Sequence, residues 1–338
     1  MTCILGLSGI TNLGNTCYIN SCLQILVHLN ILNNFLNKKN LNDLPESAFV
    51  IEYNNLKNLL LETNCIVSPN RFIKYMKDIA LIKNKELFTD YSQNDVCEFL
   101  AFIIDCFHNS IKRNVKYDIK GESKNKTDEL AIKAYEKLKE LYSNDYSEII
   151  ELFYGVSLSR LKSLQDYQDL SITCETFCNL SLPIPEDKNI CTIFDCFDLF
   201  TQNELLTGTN AWFNENTNKK QDIYKTIMFW SLPNILIIEL KRFNNYNKKI
   251  NTLVNSPIHN LDLSRYIIGY NKSQYVYDLI GVINHIGECY GGHYNSIIKN
   301  TNNNWYLYDD ADVNSINTEK IITKKSYCFF YKLQNLKN

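Results

Sequence analysis

The chain has 338 residues, 45% of them hydrophobic and 21% charged, a balance that excludes an intrinsically disordered polymer and supplies ample material for a buried core. Its 35 basic side chains against 37 acidic ones leave a net charge of −2, so no global attraction to nucleic acid or anionic membrane exists and any binding surface is local. No stretch approaches the roughly 18 uninterrupted apolar residues of a membrane span. Met1-Thr2-Cys3-Ile4-Leu5-Gly6 lacks the basic start and long apolar run of a secretory signal, so the 12 cysteines read as reduced thiols of an intracellular protein.

In chain order, the first informative stretch runs from Gly9 to Gln24. Gly9, Asn12, Gly14 and Asn15 favour turns, and Leu23, Leu26 and Val27 then fall at helical spacings. Cys17 stands at the junction, where the helix dipole and presented N–H groups favour a thiolate. It is a candidate nucleophile; a buried cysteine beside an ordinary glycine turn is the alternative at this point.

Residues 30–90 read as mostly helical, with a stripe through Phe49, Tyr53, Leu56, Leu59 and Leu60 and a helix start at Ser68-Pro69. A further helix follows Tyr91, with Ser92 as its N-cap and Asp95 in its first turn. Residues 112–147, rich in Lys, Glu, Asn and Ser, read as a solvated insertion carrying a surface helix through Leu130, Ala134, Leu138 and Leu141. From about residue 149 the pattern changes to β-branched and aromatic runs: 152–158, 180–184, 235–240, 276–283, 293–298, 305–308 and 327–333. Helices first and strands later predict an α+β protein with an antiparallel sheet.

A cysteine nucleophile requires a base, an orienter for that base and donors for an oxyanion. Of the five histidines, His28, His108 and His259 read as structural, while His285 and His293 lie in the C-terminal strands. His293 follows Tyr290-Gly291-Gly292 and opens a strand. If that strand forms a hairpin with Trp305-Tyr306-Leu307-Tyr308, the acids Asp309 and Asp310 return beside His293. A carboxylate there would fix the imidazole tautomer.

The whole set resembles the ubiquitin-specific proteases, the papain-like deubiquitinating enzymes. Gly9–Gln24 is similar to their cysteine box, and the stretch from Tyr277 through Asn284-His285-Ile286-Gly287, Gly291-Gly292-His293-Tyr294 and Trp305 to Asp309-Asp310 is similar to their histidine box. Gln93–Leu100, Ser171–Leu182 and Leu236–Phe243, ending Leu240-Lys241-Arg242-Phe243, resemble further family segments in the family order. The resemblance implies a papain-like fold with a helical thumb, an antiparallel-sheet palm and β fingers. It implies one catalytic domain over 1–338, with 1–148 as thumb and 149–338 as palm and fingers. It makes Cys17 the nucleophile, His293 the general base, Asp309 its orienter and Asn12 an oxyanion donor. Asp310 is a secondary candidate that polarises water or supports Asn12.

The implied partner is ubiquitin or a ubiquitinated protein, with no nucleic acid and no membrane, and a monomer is expected. The alternatives are a catalytically silent ubiquitin-binding protein and a protease for a ubiquitin-like modifier. Many family members hold zinc in the fingers with two Cys-x-x-Cys pairs, but the corresponding segments here, Tyr154–Leu161 and Leu205–Trp212, contain no cysteine. Cys174, Cys178, Cys191 and Cys196 have the wrong spacing for a tetrathiolate without a turn, so neither a metal nor any other cofactor is expected.

Overall fold

The mostly apolar, uncharged run Cys17–Val27 suits a helix that sits inside rather than on a surface, and this helix, α1, is buried at all of its residues. The computed structural model describes residues 5–38, 41–215, 217–289 and 291–334. Of the stretches read above, Met1-Thr2-Cys3-Ile4 and Tyr290 lie outside the described residues. Around α1 pack α2 (Asn30–Lys38), α3 (Pro45–Glu62), α4 (Asn70–Ile82) and α5 (Val96–Ile111), whose Phe49, Tyr53, Phe99, Ile103 and Phe107 share one core with Leu23 and Leu26. Among the described residues no helix is long and apolar enough to cross a membrane.

Two helix starts differ from expectation. Pro69 takes the N-cap position of α4, one residue later than Ser68-Pro69 suggested. Asp95, not Ser92, caps α5: its Oδ1 accepts the N–H groups of Cys97 at 2.7 Å and Glu98 at 3.1 Å. Ser92 instead donates to Asp90 Oδ2 at 2.7 Å. A carboxylate outcompetes a hydroxyl here because it adds charge at the positive end of the helix to its acceptor oxygens.

The 112–147 insertion carries α6 (Lys126–Asp145), capped by Asn125. Ala131 and Ala134 are buried against Val156, Leu158 and Trp230, so the helix lies packed on a sheet. Then comes α7 (Glu148–Phe153), a departure from the strand expected over 152–158, which begins instead at Gly155. Ile149, Ile150, Leu152 and Phe153 are all buried, and a short apolar run of that kind has no periodicity to separate helix from strand.

Two sheets follow. A four-stranded one has the order Asp169–Phe177, Gly155–Ser163, Ile223–Ser231, Glu204–Leu206. The larger has eight strands. Its order is Asp312–Ser315, Trp305–Asp309, Gly291–Lys299, Val276–Glu288, Ser326–Leu333, Ile235–Leu240, Asn179–Leu182, with Leu261–Asp262 paired beside Val276–Glu288. Its pairings are antiparallel except the last of that series. The molecule is thus α+β. Tyr294, Ile298, Tyr308 and Phe330 join the core around α1, whereas Leu279, Ile297, Phe329 and Tyr331 join a second core with α8 (Ile193–Thr201). Alternation along the strands gives the sheet an apolar surface on both sides, and α1 packs across Gly291–Lys299.

Candidate active site

The segment before α1 is held between two distant pieces of chain. Gly9–Ile10 pairs in parallel with Ile66–Val67, and the Ile10 N–H donates to the Asp310 carbonyl at 2.7 Å. A Cβ on Gly9 would lie 2.1 Å from the Ala311 carbonyl oxygen, so only glycine permits this approach. Asn12 follows. Its Oδ1 accepts from the N–H groups of Gly14 at 3.0 Å and Thr16 at 3.1 Å, folding the loop onto the start of α1. Its Nδ2 donates to Asp310 Oδ2 at 2.9 Å. An amide nitrogen carries two hydrogens, so one remains for a ligand.

The expected C-terminal hairpin forms, in register from Ser296 opposite Tyr308 to Lys299 opposite Trp305. It sets His293 Nε2 2.5 Å from Asp309 Oδ1, with both side chains 37% exposed. Nδ1 is then the ring nitrogen left to take a proton from a thiol. Asp310 occupies the turn with φ of 50°, a left-handed conformation that Asp tolerates better than most residues. From there its Oδ1 accepts Asn20 Nδ2 at 2.7 Å, while Oδ2 takes Asn12. Adjacent acids therefore face different partners: Asp309 the imidazole, Asp310 the two amides.

Cys17 is buried at the first position of α1. Burial pushes its thiol up from the ordinary value, and the negative charge of Asp310 adds to this. The backbone N–H groups of Tyr294, Tyr18 and Cys17 itself pull the other way without prevailing. The expectation that the helix start favours thiolate is thus overturned for the net effect. A dipole of about half a charge does not outweigh removing a thiolate from water. The thiol still meets the N–H of Tyr294, the residue after His293.

Several contributors carry no role in the sequence reading. Gln93 spans the cleft: its Nε2 donates to the Gly292 carbonyl at 2.9 Å, its Oε1 accepts the Gly292 N–H at 2.8 Å, and its Nε2 lies 3.4 Å from Asn15 Oδ1. Asn20, Ser21 and Gln24 are buried polar residues on a mostly apolar helix, and that mismatch is itself a signal; Gln24 donates to the Ser8 carbonyl at 2.8 Å. His285 lies behind the site, its pKa lowered to about 4 by burial, then by Lys249 and His293. Lys249 Nζ is 3.0 Å from His285 Nδ1 and donates to the carbonyls of His285 at 3.0 Å and Gly287 at 2.8 Å. The other histidines sit apart: His28 meets the Gln24 carbonyl at 2.7 Å, His108 meets Ser147 Oγ at 2.7 Å, and His259 lies 3.4 Å from Asp278.

Among the described residues two groups have three ligand-type atoms close together: His293, Asp309 and Asp310, and Asp95, Cys97 and Glu239. The first is already engaged as described, and in the second the Tyr327 hydroxyl donates to Asp95 at 2.7 Å and lies 3.2 Å from Glu239. No three of Cys174, Cys178, Cys191 and Cys196 converge in this way.

The arrangement has counterparts. The family model for ubiquitin carboxyl-terminal hydrolase matches residues 8–331. Ubiquitin carboxyl-terminal hydrolase 5 of Saccharomyces cerevisiae is 32% identical over 363 residues, covering 96% of this chain and 44% of that protein. Ubiquitin carboxyl-terminal hydrolase 2 of Homo sapiens is 31% identical over 349 residues, covering 97% of this chain and 55% of that protein. The chain thus spans about half the length of the curated relatives it matches. Among solved structures, a chain of the SAGA Ubp8/Sgf11/Sus1/Sgf73 DUB module bound to ubiquitin aldehyde superposes with a TM-score of 0.72 at 23% identity, covering 99% of this chain and 71% of that one. That likeness shows the fold.

Proposed function

Because this chain belongs to the ubiquitin carboxyl-terminal hydrolase family, we propose that it is a thiol-dependent deubiquitinase that hydrolyses the bond at the C-terminal glycine of ubiquitin. The observation that carries the reading is one constellation drawn from both ends of the chain. Cys17 heads α1, Asn12 is held by Asp310, and His293 is held by Asp309.

In this reading His293 Nδ1 takes the Cys17 proton and the sulfur attacks the glycine carbonyl carbon. The free hydrogen of the Asn12 amide, with backbone N–H groups at the start of α1, receives the oxyanion. The adduct expels the lysine amine, which leaves with the proton from His293, and a thioester remains. Water then gives a proton to His293 and attacks; Cys17 departs and takes that proton back. Asp309 keeps the imidazole in the tautomer with hydrogen on Nε2 and stabilises the imidazolium. Asp310 aims the Asn12 amide. Burial and the Asp310 charge oppose thiolate formation at Cys17, so the proton transfer to His293 works against a raised thiol pKa.

The same proposal takes 1–338 as a single catalytic domain, helical thumb over 1–148 and palm with fingers over 149–338. It takes the enzyme to act as a monomer. An intracellular location fits eleven described cysteines that are all free thiols. The test is release of a fluorophore from a ubiquitin C-terminal amide, abolished in Cys17→Ala. Absence of Cys17 labelling by an electrophilic ubiquitin probe, in folded reduced protein, would overturn the reading. Labelling only by probes built on a ubiquitin-like modifier would redirect it.

A further inference from the structure

We propose that Asn295, oriented by Asn284, is a positioning residue that holds the second oxygen of Asp309 and thereby fixes the carboxylate against His293. The inference rests on the reading of Cys17, His293 and Asp309 as a hydrolytic triad.

Three adjacent strands supply one rung. Asn284 lies directly opposite Asn295, and one step beyond the Ser296–Tyr308 pair Asn295 lies opposite Asp309. Asn284 Nδ2 donates to Asn295 Oδ1 at 3.0 Å, and Asn295 Nδ2 donates to Asp309 Oδ2 at 3.2 Å. Asp309 Oδ1 is the atom 2.5 Å from His293 Nε2. His293 and Asn295 are two residues apart on one strand and so project from the same face. The carboxylate is therefore gripped at both oxygens by one strand, and rotation about its terminal torsion breaks both contacts.

The direction of the chain is fixed by chemistry. A carboxylate only accepts, so Asn295 presents its NH2 to Asp309; its oxygen then faces Asn284, which must present NH2 in turn. Without Asn284 the Asn295 oxygen loses its donor, and the amide is held by its contact with the carboxylate alone. Asn284 and Asn295 are 4% and 5% exposed, so water does not readily replace either one. Asn284 Oδ1 is buried with no partner among the described residues, a desolvation cost that a purely structural pair of apolar residues would not carry.

The test compares Asn295→Ala and Asn284→Val with the wild-type chain on a fluorogenic ubiquitin amide, alongside the low-field proton resonance of His293 Nε2–H by NMR. For Asn295→Ala a fall in kcat of about 10- to 100-fold is expected, the scale of a lost hydrogen bond to a charged group. KM should stay within about two-fold, and the low-field resonance should shift or broaden. Asn284→Val should move all readouts in the same direction by less, and the double variant should be less than additive. Should Asn295→Ala fail to fold, Asn284→Val decides. A kcat within two-fold of wild type, or an unmoved resonance in a folded variant, overturns the proposal. The resonance needs no substrate, so an inactive wild-type chain would reject the triad reading while the Asn295–Asp309 contact was still judged on its own.

Discussion

The cleft and the hairpin of Gly155–Ser163 with Asp169–Phe177, which lies between the cleft's two halves in sequence, are assembled from partners at opposite distances along the chain. In the cleft, Asn12 meets Asp310 across 298 residues, Asn20 meets Asp310 across 290 and Gln93 meets Gly292 across 199. In the hairpin, Arg160 meets Asp169 across nine residues, and Gly155–Ser163 pairs with the next strand, Asp169–Phe177. Local pairs form wherever the hairpin forms. Long-range polar pairs exist only when α1 and the eight-stranded sheet have docked, so the cleft is the part of the molecule most dependent on the whole fold.

That contrast can be broken experimentally, starting where the loss should be greatest. Asp309→Ala, which leaves His293 without its carboxylate, is expected to lower kcat on the order of 1000- to 10,000-fold, measured by single-turnover hydrolysis. Asn12→Ala should cost about 100- to 1000-fold in kcat with little change in KM, the scale of one oxyanion donor. A change confined to KM would assign Asn12 to binding.

Asp310→Asn separates two roles of one residue. Its negative charge raises the Cys17 pKa, so removing that charge should lower it, and alkylation of Cys17 by iodoacetamide, followed by peptide mass spectrometry, should reach half-maximal rate at a lower pH. Turnover should nevertheless fall by about ten-fold, because Asn12 and Asn20 lose their shared carboxylate. Parallel gains in both readouts would refute the account. The smallest effect belongs to the local region. Arg160 and Asp169 side chains are 26% and 29% exposed, so Arg160→Ala should cost less than about 1 kcal/mol in urea unfolding and leave turnover within about two-fold. A large loss of activity would mean that this hairpin is coupled to the cleft.

Sequence reasoning met the structure best where a short-range rule decides. Cys17 begins α1 because turn residues stop and helical spacing starts there, and Asp309 returns to His293 because one hairpin joins their strands. It failed at Ser92, where two capping residues stood three apart and charge chose Asp95, and at Leu152, where a short buried run had no distinguishing period. The helix within 112–147 was legible from its spacing, but its burial on Val156, Leu158 and Trp230 was not.

By itself the sequence determined the α+β class, the order of helices and strands, and the residue types of the site, because propensity and periodicity act over a few residues. Only the tertiary structure decided that Gln93 bridges to Gly292, that Asp310 also takes the amide of Asn20, and that Asn284, Asn295 and Asp309 share a rung. It also decided the direction of the Cys17 shift, since burial is a property of what packs around a residue and not of the residues beside it in sequence.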